Sequence, residues 1–282
     1  MQQRRLDRAA LKGVELEYEV LGIGEPVVLI HPGHFADWFA PLLDEPVLAE
    51  HYRLIRYHRA GCRGSSRIVG PVSMAEQAEH CRSLMRHIGI ERAHIVGHSS
   101  SGNIAIQLAL DTPDAVHSIA LLEPALMSVP SAETSRAFVR TAIELHRSGN
   151  KAAAVDTFLK GVCGPDYRSV LDRALPDSFD QAVADADTFF NQEMPALQQW
   201  SFTREDARRI VQPVLAVMGA MSKEQSPIWS ERQELLLSWL PNADPFVLPG
   251  ASHLLQVQNS RAMAEGLAAF FVRHPLSGRP GG

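Results

Sequence analysis

Residues 91 to 109 read Glu-Arg-Ala-His-Ile-Val-Gly-His-Ser-Ser-Ser-Gly-Asn-Ile-Ala-Ile-Gln-Leu-Ala, and this stretch decides the fold. His94, Ile95 and Val96 make a short apolar strand, while Ile104, Ala105, Leu108 and Ala109 recur at the spacing of one helix face. Between them runs a tight series of small residues with Ser99 at its apex. A strand that turns directly into a helix forces its apical residue into strained backbone, which only small neighbours two positions away tolerate. Gly97 and Ser101 are those neighbours. The turn exposes the Ser99 hydroxyl and aims backbone N–H groups, with the positive end of the helix, at whatever the hydroxyl attacks. Chemistry is expected here; the plainer alternative is a serine-rich helix cap.

Working outward, Val14 to Leu21 alternates apolar and acidic residues, the period of a half-exposed strand at a sheet edge. Pro26 to Ile30 is a continuous apolar run, as in a strand buried on both faces, and residues 52–57 give another strand. An amphipathic helix over residues 74–89 ends at Gly89. Beyond the central stretch, residues 117–122 form a buried strand that stops at Glu123-Pro124, and further apolar runs lie at 213–219 and 245–248. A last helix carries Met263, Leu267, Phe270 and Phe271. Apolar runs alternating with amphipathic helices define an α/β class with a doubly wound, mostly parallel sheet.

Between Pro124 and Pro213 no buried-strand pattern occurs, and helices are expected over 135–147, 151–161, 166–174, 179–190 and 194–200. The expected organisation is a core formed by residues 1–124 and 207–282, with a helical cap inserted at 125–206.

Composition narrows the partners. A formal net charge of −5 over 282 residues, with no basic cluster beyond Arg4, Arg5 and Arg8, argues against nucleic acid and anionic membrane. These arginines read as a solvated lead-in. No signal-peptide core and no apolar stretch of the ~18 residues needed to span a bilayer are present, so a cytoplasmic location is expected. Cys62, Cys81 and Cys163 are odd in number and widely spaced, which suggests neither a disulfide framework nor a zinc site. A small molecule is the expected partner, no metal or cofactor is implied, and a homodimer is left open.

Gly97-His-Ser-Ser-Ser101, in its strand–turn–helix setting, resembles the Gly-x-Ser-x-Gly nucleophile elbow of the α/β-hydrolase fold, with Ser101 in place of the second glycine and Gly102 directly after it. Two loops are similar to the same family. His31-Pro-Gly-His34 follows a central strand as the family's His-Gly loop does. Pro32 has no N–H, so the resemblance places one oxyanion donor at Gly33, or at His34 if the loop is shifted by one, and the other at the amide of Ser100. His58 to Ser66 resembles the Asp-x-Arg-Gly-x-Gly-x-Ser loop, with His58 at the aspartate, and is expected to be structural. His253, after Pro249-Gly-Ala-Ser and before the last helix, is similar to the family's terminal histidine base.

The acid departs from the common pattern. Ser222 stands where many members carry aspartate after the strand ending at Gly219. Glu123 lies 24 residues beyond Ser99, where haloalkane dehalogenases and certain lactonases place theirs; Glu224 is the reserve. A dehalogenase is disfavoured, since that chemistry uses an aspartate nucleophile. The site mouth is expected to hold His34, Phe35 and Trp38, with His98 beside the nucleophile and Phe189, Phe190 and Trp200 roofing it. The resemblance implies a hydrolase of a carboxylic ester or lactone with a small to medium apolar substrate, working through a Ser-His-Glu triad and an acyl-enzyme. Carbon–carbon bond hydrolysis, cofactor-free haloperoxidation and a non-catalytic ligand sensor are the alternatives.

Overall fold

The chain is described by a computed structural model over residues 6–33 and 35–276. Eight strands form one sheet: β1 (Asp7–Leu11), β2 (Val14–Leu21), β3 (Glu25–Ile30), β4 (Tyr52–Tyr57), β5 (Ala93–His98), β6 (Val116–Leu122), β7 (Val214–Gly219) and β8 (Ala243–Leu248). Their spatial order is β1-β2-β4-β3-β5-β6-β7-β8. β1 and β2 pair antiparallel, as do β2 and β4; every pairing from β4 across to β8 is parallel. Parallel neighbours need crossovers, and the helices that make them cover both faces, so β5 is buried along its whole length.

One face packs the helices Met74–His87 and Ser100–Asp111 through Cys81, Leu84, Ile104 and Leu108. The other packs the final helix, Ser260–Arg273, through Met263, Leu267, Phe270 and Phe271, in a cluster that continues into the insertion at Leu159 and Phe189. Sequence-encoded caps set the helix starts. Ser73 Oγ accepts from the Glu76 N–H while the Glu76 carboxylate accepts from the Ser73 N–H, and Asn259 Oδ1 accepts from the Ala262 N–H at 3.1 Å. No helix among the described residues is long and apolar enough to cross a membrane.

Two local expectations are corrected. β2 is not the sheet edge: β1 lies outside it, joined by the two-residue turn Lys12-Gly13, with Gly13 at φ +80°. The sequence of β1 is Asp-Arg-Ala-Ala-Leu, which has little β-propensity, and its pairing rests on β2. Arg8 in β1 reaches across to Glu15 at 2.6 Å and Glu17 at 3.0 Å, where a free lead-in was expected.

The second correction concerns residues 179–190, expected as one helix. They break at Asp185 into Ser178–Ala184, a short turn Ala186–Thr188 and a π-helical turn Phe189–Glu193. The buried Asp185 carboxylate accepts from the Arg63 N–H at 3.1 Å, Arg67 Nη2 at 2.7 Å and Gln181 Nε2 at 2.9 Å, contacts that draw this point of the chain onto the 61–67 loop. The remaining helices between β6 and β7 are Ala132–Arg147, Lys151–Cys163, Tyr167–Ala174, Met194–Gln199 and Arg204–Arg209.

Candidate active site

Ser99 has φ +53° and ψ −121°, the strained backbone expected of the apex, and the helix Ser100–Asp111 starts on the next residue. Its surroundings explain why these residues are small. A Cβ at Gly97 would lie 2.4 Å from the Ser101 carbonyl oxygen, and one at Gly102 would lie 2.7 Å from Pro124 Cβ. Ser101 is tolerated in place of a glycine because its hydroxyl is used locally: Oγ accepts from the His98 N–H at 2.9 Å and donates to the Ile30 carbonyl. The substitution thus ties the turn to β3.

Three side chains from three strand ends converge. Ser99 Oγ donates to His253 Nε2 at 3.2 Å, and His253 Nδ1 donates to Glu123 Oε2 at 2.6 Å. Glu123 follows β6 directly and is itself at φ +42°, and its other oxygen accepts from the Gly219 N–H at 2.8 Å. The Ser222 hydroxyl is buried beside this carboxylate, outside good hydrogen-bond geometry but close enough to favour its charge. Glu224, by contrast, sits exposed on the short turn Ser222–Gln225 and does not reach His253.

Burial dominates the electrostatics of this pair. It raises the Glu123 carboxyl to about 7, against the pull of Ser222, the Gly219 amide and the nearby charge of Arg232. Burial, helped by Arg232, lowers His253 to about 3. The pair therefore resists an isolated charge on either member, and a proton arriving on the imidazole is stabilised only through the short bond to Glu123.

The Gly33 loop lies against the nucleophile turn. Gly33, at φ +47°, donates its N–H to Ser100 Oγ at 2.9 Å, so the two amides expected as oxyanion donors belong to residues in direct contact. Ser100 is the first residue of its helix, where backbone N–H groups have no intrahelical acceptor. His34 lies outside the described residues. The buried Arg59 guanidinium fixes this loop from behind by donating to the Gly33 carbonyl, to Gln77 Oε1 and to Glu193 Oε2, the last at 2.9 Å. The Arg59 N–H also donates to His31 Nε2 at 2.9 Å. The loop read as structural in the sequence thus positions Gly33 and joins it to the π-helical turn.

A cavity of about 410 Å³ opens on Ser99, Ser100 and His253. Phe35, Trp38, His98, Phe189 and Trp200 line it; Phe190 does not. Phe190 is turned into the insertion, where it stacks on His146 at 4.9 Å between ring centres. A larger cavity of about 680 Å³ is lined by Glu17, Asp37, Arg56 and His58, whose charges are already paired with one another. It contains none of the converging residues.

Trp229 and Arg232 are among the cavity residues absent from the sequence reading. Trp229 stacks on His253 with ring centres 4.1 Å apart and planes 24° apart, and the His98 ring centre is 4.7 Å from the same imidazole. Arg232 lies one turn further along the helix Ile228–Trp239, its guanidinium carbon 5.0 Å from the Trp229 ring centre. Their i, i+3 spacing on a helix that leaves a strand end facing the site was the available signal.

The buried histidines make a stability prediction. His31, His98 and His253 are all depressed by burial, so each stays neutral in the folded chain while its unfolded counterpart protonates near pH 6.5. Their contribution is present above about pH 6.5 and is lost on acidification, each by about 1.4 kcal/mol per pH unit. Glu123, raised by burial, opposes this with one proton between its ordinary value of 4.5 and about 7. Thermal unfolding followed from pH 7.5 to 5 should show a falling Tm; a flat or rising Tm would contradict the neutral buried state of these rings.

A serine held at positive φ between a buried strand and a helix is strained backbone of the kind that clusters at functional sites. Residues 26–162 match the profile of the alpha/beta hydrolase fold. The chain has the α/β-hydrolase fold. Among solved structures, the enol-lactonase from Burkholderia xenovorans LB400 aligns with a TM-score of 0.79 at 23% identity, covering 94% of this chain and all of that one.

Curated relatives include RutD of Azorhizobium caulinodans, named for carbamate hydrolysis, 34% identical over 109 residues, or 38% of this chain and 40% of its own. The acetyltransferase component of an acetoin cleaving system from Pseudomonas putida is 26% identical over 257 residues, or 89% of this chain and 64% of its own. The chain thus spans less than two thirds of the length of either, and their names point to different reactions.

Proposed function

We propose that the protein is a hydrolase of carboxylic esters or lactones in which Ser99 is the nucleophile, His253 the base and Glu123 its orienting acid. The observation that carries this reading is the chain of contacts from Ser99 Oγ through His253 to Glu123, at 3.2 and 2.6 Å, opening on a cavity of about 410 Å³. A serine hydroxyl is a weak nucleophile until an imidazole accepts its proton, and the imidazolium formed needs a carboxylate.

In this mechanism Ser99 Oγ attacks the substrate carbonyl carbon as its proton passes to His253 Nε2. The oxygen that becomes negative takes the Gly33 N–H from the Ser100 hydroxyl and also receives the Ser100 amide; one such donor is typically worth ~3 kcal/mol. His253 then protonates the leaving oxygen as the tetrahedral adduct collapses to an acyl-Ser99 ester. Water enters, loses a proton to His253 and releases the acid. For a lactone, the leaving hydroxyl stays tethered to the acyl chain throughout, and water releases a single hydroxy acid.

The helices between β6 and β7 act as the cap over residues 125–206, and their aromatic side chains give the cavity an apolar roof. The enol-lactonase likeness and the hydrolytic name of RutD agree with this chemistry. The test is a panel of p-nitrophenyl esters from acetate to octanoate, with γ- and δ-lactones, given to the parent. Turnover that peaks at short or medium acyl chains is expected. A folded parent inert to every ester and lactone, yet active on a vinylogous diketone, would replace the reading with carbon–carbon cleavage. Ligand binding without any turnover would replace it with a sensor.

A further inference from the structure

Arg232 is an unusual lining residue for a largely apolar cavity. It is only 6% exposed, and its ordering is partial: Nε donates to the Leu126 carbonyl at 2.8 Å and Nη2 lies 3.5 Å from Met127 Sδ. Among the described residues it takes part in no ion pair within 4.0 Å, and its two hydrogen bonds use Nε and Nη2, leaving Nη1 unused. The adjacent Glu231 is turned away, accepting from the Ser131 N–H at 2.9 Å and Ser131 Oγ at 2.7 Å. Glu123 is committed to Gly219 and His253. The other arginine on the cavity, Arg136, is exposed and paired with Glu133 at 2.9 Å. Burial brings the Arg232 guanidinium down to about 10, so it remains cationic at neutral pH without a direct counter-ion.

A buried cation without a carboxylate in contact is costly, and a guanidinium with a free nitrogen is shaped to accept a carboxylate. We propose that Arg232 binds a carboxylate of the substrate, so that the natural ester or lactone is an anionic one; this rests on the hydrolase reading above. The guanidinium carbon lies 5.0 Å from the Trp229 ring centre, and that ring stacks on the His253 imidazole with centres 4.1 Å apart. A carboxylate held by Arg232 is therefore bound beside Trp229, separate from the carbonyl that Ser99 attacks. The apolar lining receives the chain between the two groups.

The experiment compares p-nitrophenyl hydrogen adipate with its neutral methyl ester, as kcat/KM, in the parent, Arg232→Gln and Arg232→Lys. The quantity read is the ratio of acid to methyl ester within one preparation, in which the fraction of folded enzyme cancels. The parent should favour the acid; the ratio should fall about 10- to 100-fold in Arg232→Gln and less in Arg232→Lys. A parent that turns over both without favouring the acid, or a preference that survives Arg232→Gln, overturns the proposal. Failure of the hydrolase reading is seen separately, as a folded parent inert to both esters. Adipate and adipamide binding, followed by tryptophan fluorescence, then decides: adipate-selective binding weakened in Arg232→Gln supports the subsite, and absence of that selectivity overturns it.

Discussion

Ser99→Ala is expected to lower ester turnover about 10⁵- to 10⁶-fold, to little above the rate left by binding and the oxyanion donors alone. Neither adjacent hydroxyl is free to replace it: the Ser100 hydroxyl accepts from Gly33 and the Ser101 hydroxyl donates to Ile30. Alanine keeps the small side chain that the apex at φ +53° demands, so Tm should stay within a few degrees of the parent. The measurement is p-nitrophenol release under matched conditions with unfolding curves for both proteins. Turnover within tenfold of the parent, by a folded variant, would remove Ser99 from the mechanism.

Glu123→Gln should cost about 10³- to 10⁴-fold in kcat. The glutamine oxygen can still accept from the Gly219 N–H, as Oε1 does at 2.8 Å, which turns its NH₂ group toward His253 Nδ1. That donor selects the tautomer with the proton on Nε2, and an Nε2–H cannot accept from Ser99. The expected signature is a fall in kcat with the active-site serine still present and KM little changed. Glu224→Gln, at an exposed position, should stay within twofold. Equal and near-parental rates in the two variants would mean that the acid lies elsewhere.

What the sequence made legible follows from how locally each feature is determined. The 91–109 stretch encodes strand, turn and helix within nineteen residues, and the steric demand at Gly97 comes from Ser101 inside it, so the apex was readable. Glu123 was placed by strand-end logic and His253 by its loop before the last helix, and the structure brings the two within hydrogen-bond reach of each other.

Features set by tertiary contact were not readable. β1 has no propensity of its own and exists because β2 offers it an edge. The break at Asp185 depends on Arg63 and Arg67, more than a hundred residues away in the chain. The same holds for Phe190, aromatic and in the right segment, which the π-helical turn rotates toward His146 while Phe189 faces the cavity. Arg59 resembled part of a structural loop, and only its contact with the Gly33 carbonyl gives it a positioning role. The Ser222 departure was visible as a missing acid; that the vacated position lies beside the Glu123 carboxylate was not.

The central claim is that Ser99 becomes acylated by way of His253. The most direct test is intact-mass and peptide analysis after brief incubation with a p-nitrophenyl ester at low pH, or with a p-nitrophenyl phosphonate that arrests the adduct. The account predicts one adduct per chain on the peptide containing Ser99, formed quickly in the parent and far more slowly in Glu123→Gln. A folded parent that turns over esters with no adduct, or with the label on another residue, would contradict it.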